Sequence, residues 1–263
     1  MLDFLSDPKF LEELEILQQT TAMGIWETLY STVLATVLAY VIGLPLGVIL
    51  VTGEEGGIRP LPRALMKVLN FVVNVLRSIP FLILMMMVIP LSRLLLGTSV
   101  GTMALIVPLV IAAFPFVARV VEGSLREMDR GMIEAAQSMG CTTFQIIWKV
   151  LLPECLPSLI VGFTTASITI LSYGAMAGII GGGGLGAIAI NYGYYRHKNV
   201  VMYITVIVLV ILVQILQSFG TRMAVRLDKR LTSQKARKNA REDNSKKVQK
   251  DKRGSGTHGS MMQ

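Results

Sequence analysis

The sequence predicts an all-α polytopic membrane protein with five transmembrane helices, an outside N-terminus and a cytoplasmic C-terminus. Three observations carry that prediction. The first is apolar weight: 52% of the 263 residues are hydrophobic and the mean hydropathy is +0.60, well above an ordinary soluble domain. The second is its distribution into stretches long enough to cross a hydrocarbon core of ~30 Å, which needs about 20 residues. The third is the asymmetry of Lys and Arg between alternate loops, which orients membrane helices.

The chain divides into an N-terminal segment (1–20), a transmembrane region (21–222) containing a long loop (122–153), and a basic tail (223–263). In the first segment Phe10, Leu11, Leu14 and Leu17 share one helical face, Glu12, Glu13 and Glu15 lie elsewhere, and Pro8 can open the helix. This reads as a short amphipathic helix lying on the outer membrane surface. Residues 1–28 carry six acids and one Lys, the reverse of the basic start of a secretory signal.

Span one is read at Leu29–Val51, span two at Val68–Ser92, span three at Val100–Ala118 and span five at Asn199–Thr221. Between Cys155 and Tyr195 no residue is charged, which leaves room for span four and a further re-entrant or interfacial piece. No Asp or Glu falls within these span boundaries. With the N-terminus outside, Arg59, Arg63, Lys67, Arg119, Arg126, Arg130, Lys149 and the tail face the cytoplasm. Lys9, Arg93, Arg196 and Lys198 face the other side.

The formal charge of +8 does not indicate nucleic acid. From Arg222 onward there are 13 Lys/Arg against 4 Asp/Glu, so everything before the tail nets −1. A solvated tail is the plain reading, and attraction to anionic lipid is the sharper one. Cys141 and Cys155 make no disulfide framework, and two distant histidines offer no metal site.

The loop 122–153 has the signals of a helical hairpin. Asp129 can cap a helix through Glu134-Ala135-Ala136 to Met139, and Gly140 suits the left-handed residue that ends it. Thr142 and Gln145 stand at capping-box spacing for a second helix, which must break or turn near Pro153. Ala135 and Ala136 leave a surface without bulk beside the fixed charge of Glu134. Met139, Phe144, Ile147 and Trp148 supply apolar anchors of the kind interfaces use. Ala136, Gly140 and Ile146 also have helix-turn-helix spacing. Between residues 130 and 153, however, only Arg130 and Lys149 are basic, too few to neutralise a phosphate backbone.

Glu134-Ala135-Ala136, Gly140, Leu152 and Pro153 resemble the EAA loop of bacterial ABC importer permeases, with Val150 where Ile is usual. Further stretches resemble the methionine importer permeases in particular: residues 24–29, Asn74 to Phe81, residues 97–101, Pro115 to Arg119, and Gly181–Gly186 ahead of residues 191–194. The resemblance covers roughly residues 20–222. It implies that Glu134, Ala135, Ala136, Met139, Gly140, Phe144, Leu152 and Pro153 couple the spans to an ATPase. It also implies a homodimer, two cytoplasmic ABC ATPase subunits that hold ATP-Mg, an extracytoplasmic substrate-binding protein, and residence in the bacterial inner membrane. This chain has no phosphate-binding loop of its own: Gly181 to Gly184 run into Leu185-Gly186, not Lys-Ser. It is therefore expected to hold no cofactor or metal and to be no enzyme.

Arg77 is the one charge within a span. A charge at mid-depth costs at least ~2.5 kcal/mol, so such groups face a cavity or a partner. Snorkelling or structural pairing is the plain reading; a place with Ser78 near the pathway or gate is the sharper one. Pro80 cannot donate to its helical bond, so the backbone near Leu76 and Arg77 is expected to bend. Gly43 with Gly47, and Gly174 with Gly178 and Gly182, have the spacing of close helix packing. The resemblance suggests that span four lines the dimer axis, placing Ser172, Tyr173 and Met176 near the path, with Met176 as an apolar gate. An importer of another small amino acid is the nearest alternative. An ion-coupled secondary transporter is the alternative from another class, but it usually needs internal repeats, and no second copy of the five-span pattern occurs.

Overall fold

The computed structural model describes residues 8–227, and among these every regular element is helical. We number the helices α1 (Pro8–Thr52), α2 (Arg63–Ser78), α3 (Phe81–Leu96), α4 (Thr102–Arg126) and α5 (Arg130–Ser138). Next, α6 begins as a turn at Thr143–Gln145, widens into a π-helix at Ile146–Leu151 and closes at Leu152–Glu154. The long α7 (Leu156–Met176) ends in a 3-10 turn at Ala177–Ile180. The short α8 (Gly184–Ile188) continues as a π-helix over Ala189–Tyr194, and α9 is Asn199–Leu227.

Among the described residues four helical stretches are long and apolar enough to cross a membrane, and the bent pair α2–α3 makes a fifth if counted as one span. The span read at Val68–Ser92 is thus two helices meeting at 106°. Pro80 is the cause. It lacks an N–H and forces the preceding residue out of helical conformation, and Ile79 is extended at φ −77°, ψ 126°.

The N-terminal segment is not a separate short helix. It is the start of α1, 45 residues long, or about 67 Å at 1.5 Å per residue, twice the ~30 Å of a hydrocarbon core. Its acids explain the continuity. Glu13 accepts from the N–H groups of Val200 (2.7 Å) and Val201 (3.3 Å), and Glu12 pairs with Lys198 at 2.6 Å. A carboxylate at the start of α9 satisfies donors that have no partner in that helix. Residues 1–7 and the basic tail beyond Leu227 lie outside the described residues; 223–227 belong to α9.

The main core lies where α1 packs on α4, with α7 beside them. Ala35, Ala39, Leu109, Ala113, Val117, Val121, Ala166 and Ile170 are buried there. Glycine sets the spacing. A Cβ on Gly47 would stand 2.7 Å from the Ala118 carbonyl oxygen and from Val121, and one on Gly43 2.7 Å from Val117. Both therefore pack as the small-residue spacing predicts. The second set divides: Gly178 lies against the backbone of Ala187 and Gly182 against Leu105, whereas Gly174 has nothing within 4 Å.

At the end of the bundle opposite the hairpin, Gly181 and Gly184 take φ +87° and +83°, which lets the chain fold back after α7. Glu27, inside α1 beyond the expected limit of span one, accepts from the Gly184 N–H at 2.6 Å, and Thr28 accepts from the Leu185 N–H at 2.9 Å. Extending the helices in this way brings acids into them that the narrower span boundaries leave out.

Gly47→Ala is expected to destabilise the detergent-solubilised protein by roughly 1–3 kcal/mol, since the new methyl group meets α4 backbone that cannot rotate away. Thermal unfolding of the two proteins side by side measures this.

Candidate functional site: the helical hairpin and the clefts beside α7

Each turn of the hairpin is specified locally. Asp129 accepts from the Gly131 N–H at 2.9 Å at the start of α5. At its end, Gly140 takes φ +77°. The Cys141 N–H donates to the Ala136 carbonyl at 3.1 Å and the Gly140 N–H to the Gln137 carbonyl at 2.9 Å. This pair of bonds is the Schellman closure, and it needs a left-handed residue where Gly140 stands. The capping box is complete: Gln145 N–H to Thr142 Oγ1 at 3.3 Å, and Thr142 N–H to Gln145 Oε1 at 2.8 Å. Pro153 follows the π-helical stretch, whose wider turn accommodates a residue that cannot donate to the Lys149 carbonyl.

The hairpin presents an apolar face. Met139 is 76% exposed, Phe144 67% and Trp148 58%, and the rings of Phe144 and Trp148 meet edge to face at 6.2 Å. Glu134, Ala135 and Pro153 are also exposed. Two residues of the predicted set point elsewhere. Ala136 is 2% exposed and closes the inside of the hairpin, so only Ala135 leaves the outer surface without bulk. Leu152 is half-buried against the main core and anchors the hairpin to the spans.

Directly before the hairpin lies a charged cluster that sequence reasoning missed. Glu122 is 6% exposed and accepts from Arg119 at 2.6 Å and from Arg126 at 2.7 Å. Arg119 also donates to Asn70 at 2.8 Å and to Asn74 at 2.9 Å, both on α2. Arg126 pairs with Glu54 in the α1–α2 turn. One buried carboxylate thus ties the last turns of α4 to α2 and to the end of α1. The available signal was the i, i+3 and i, i+4 spacing of 119, 122 and 126 on one helix face; the asparagines, 45 and 49 positions away, gave none.

The five residues predicted near a pathway fall into two places. Ser172 and Met176 line an apolar groove of about 560 Å³ between α7, the α8 segment and α9, with Gln214 as its other polar side chain. Arg77 and Tyr173 line a smaller cleft of about 150 Å³ at the α2–α3 break. Ser78 is exposed at the end of α2 and lines neither; its hydroxyl donates to the Asn74 carbonyl at 2.8 Å. Among the described residues no group of His, Cys, Asp and Glu could hold a metal ion.

Residues 43–233 match the model of a family described as binding-protein-dependent transport system inner membrane component. The chain belongs to that family. It is a multi-pass inner-membrane transport component and not itself an enzyme, and the hairpin falls within the matched region. The chain is 50% identical over 206 residues to a probable D-methionine transport system permease protein MetI of Vibrio cholerae, covering 78% of this chain and 91% of the relative. It is 46% identical over 155 residues to the D-methionine permease MetI of Escherichia coli K12, covering 59% and 71%. Among solved structures it resembles a chain of the MetNI methionine ABC transporter in inward-facing conformation. The TM-score is 0.77 at 44% identity, covering 79% of this chain and 96% of that one.

Within this family member the charge cluster is a separable structural prediction. Arg119→Met leaves Glu122 half-paired and both asparagines without their donor, and is expected to cost roughly 3 kcal/mol of stability. Arg126 is 46% exposed on its side chain, so Arg126→Ala is expected to cost no more than about 1 kcal/mol. Denaturant titration of the purified variants distinguishes the two.

Proposed function

We propose that the chain is the permease subunit of an ATP-driven methionine importer and that two copies form the translocation pathway. The observation that carries this reading is the 50% identity to a methionine permease across 91% of that relative, supported by the likeness to the MetNI transporter. In this reading the hairpin end of the bundle faces the cytoplasm, where Lys and Arg concentrate. The N-terminus is then outside, an extracytoplasmic binding protein delivers the substrate, and the spans contact membrane lipid.

Two ATPase subunits, each holding ATP-Mg, dock on the exposed hairpin faces. Met139, Phe144 and Trp148 are the anchors, Glu134 and Ala135 fit the helix against its partner, and Gly140 and Pro153 hold the turns. Ala136 and Leu152 act from inside, by fixing the hairpin to itself and to the spans. Met176, exposed on the groove face of α7, meets its copy across the dimer axis as an apolar gate.

Uptake of labelled methionine, in cells lacking their own importer but expressing this chain with its ATPase and binding protein, tests the reading. ATP-dependent uptake is expected, and Gly140→Pro is expected to abolish it with the protein still in the membrane, because proline cannot adopt φ +77°. Ion-driven uptake indifferent to the ATPase would overturn the proposal.

Two further outcomes are expected. Trp148→Ala weakens ATPase association at least tenfold in a pull-down titration, as loss of a central aromatic anchor does. Met176→Ala raises the leak of the resting transporter in proteoliposomes; an unchanged leak and uptake rate would remove Met176 from the gate.

A further inference from the structure

The cleft at the α2–α3 break has a composition that packing alone does not explain. Leu76, Arg77 and Ile79 come from the end of α2, Phe81 and Leu84 from the start of α3, Ala112 and Phe116 from α4, and Tyr173 from α7. Its one charge is the Arg77 guanidinium. Among the described residues the ion pairs engage other groups, and no carboxylate lines the cleft. Arg77 is exposed at the end of α2 and has no counter-charge among the described residues, a costly position within a membrane unless something else supplies one.

A guanidinium is a planar fork of donors matched to a carboxylate, and such charge-assisted pairs are strongest away from bulk water. The break supplies the complementary polarity. In a continuous helix the Leu76 carbonyl would accept from residue 80, which is Pro80 and has no N–H. An acceptor able to take a bond from an ammonium is thus left beside the cation. The Phe81 and Tyr173 rings, stacked at 4.1 Å and 7°, also line the cleft and form a rigid apolar wall of the kind a thioether contacts favourably. The volume of about 150 Å³ is well below the roughly 300–1,000 Å³ that drug-sized ligands occupy, so the occupant is small.

We infer that this cleft is a binding site within the permease for a zwitterionic amino acid with an unbranched apolar side chain. The carboxylate lies on Arg77, the ammonium toward the open end of α2 and the side chain against Phe81 and Tyr173. The inference rests on the importer reading above and adds a transit site on this chain, distinct from capture by a binding protein. Arg77 is then a specificity residue: it selects for a free carboxylate, and the ring wall selects for an apolar side chain.

The test is equilibrium binding of radiolabelled methionine to the permease–ATPase complex in lipid nanodiscs without binding protein, with the ATPase alone as blank. Saturable binding to the complex is expected. On the unmutated complex, methionine amide, which lacks the carboxylate, should compete at least tenfold more weakly than methionine, and norleucine within a few-fold. Arg77→Met should weaken methionine binding at least tenfold, and Arg77→Lys by less. Equal competition by the amide, or binding unchanged by Arg77→Met, overturns the site. So does an absence of saturable binding in a preparation that accumulates methionine once the binding protein is added. If that preparation accumulates no methionine, the importer reading falls instead; the site then stands or falls on whether Arg77→Met weakens binding of the amino acid the complex does carry.

Discussion

A carboxylate buried at the end of an apolar helix has to be neutralised from within the protein, and Glu122 is neutralised twice, by Arg119 and Arg126. Each arginine then has donors left over. Those of Arg119 go to Asn70 and Asn74, and those of Arg126 to Glu54. Breaking a buried pair from one side is far more costly than its net worth suggests, because the remaining charge stays buried. The ends of α1, α2 and α4 are therefore held in one arrangement. α2 needs that constraint. Its buried apolar face is small, chiefly Met66, Leu69 and Val73, while Leu65, Val68, Phe71, Val72 and Val75 are exposed.

At the opposite end the constraint is close approach. Gly183 has room for no Cβ: one would stand 2.0 Å from Thr102 Oγ1 and 2.4 Å from a Glu27 carboxylate oxygen. The missing side chain lets Glu27 reach the Gly184 N–H, so the folded-back segment after α7 is pinned to α1 by hydrogen bonds. The run of glycines is thus an element of packing and turn geometry, as its failure to continue into Lys-Ser already indicated.

What was legible in the sequence was what is encoded within a few residues. The Asp129 cap, the left-handed Gly140 and the Thr142–Gln145 box each depend on neighbours at most four positions away, and each occurs as read; the Pro80 bend occurs too, but at Ile79, with Leu76 and Arg77 still helical. Ala136 was misjudged because a small residue in a helix suits either an outer surface or a close inner contact, and only the second helix of the hairpin decides which. The opening of the first helix at Pro8 was legible, but not that it runs unbroken into span one. The acids at positions 12 and 13 look like the polar face of a separate surface helix until residues 198–201, far along the chain, are brought beside them. Arg119 with Asn74, and Glu27 with Gly184, are pairings of the same long-range kind.

Hairpin and cleft stand on the same helix. Counting along α4, Ala112 and Phe116 wall the cleft, Arg119 holds α2, and Glu122 and Arg126 close the cluster immediately before Asp129 opens the hairpin. From Ala112 to Arg126 is about 21 Å at 1.5 Å per residue. α2 leaves the charged cluster at Asn70 and Asn74 and reaches the cleft one turn later, at Arg77. Two of the helices that line the cleft, α2 and α4, are therefore clamped together between it and the hairpin. At the break no helical hydrogen bond bridges Ile79, so α2 is tied to α4 by Arg119 and α3 separately, by the packing of Met85 in the main core. The broken span, costly in backbone hydrogen bonding, thus puts the charged clamp beside Asn70 and Asn74 and the cleft at the end of α2.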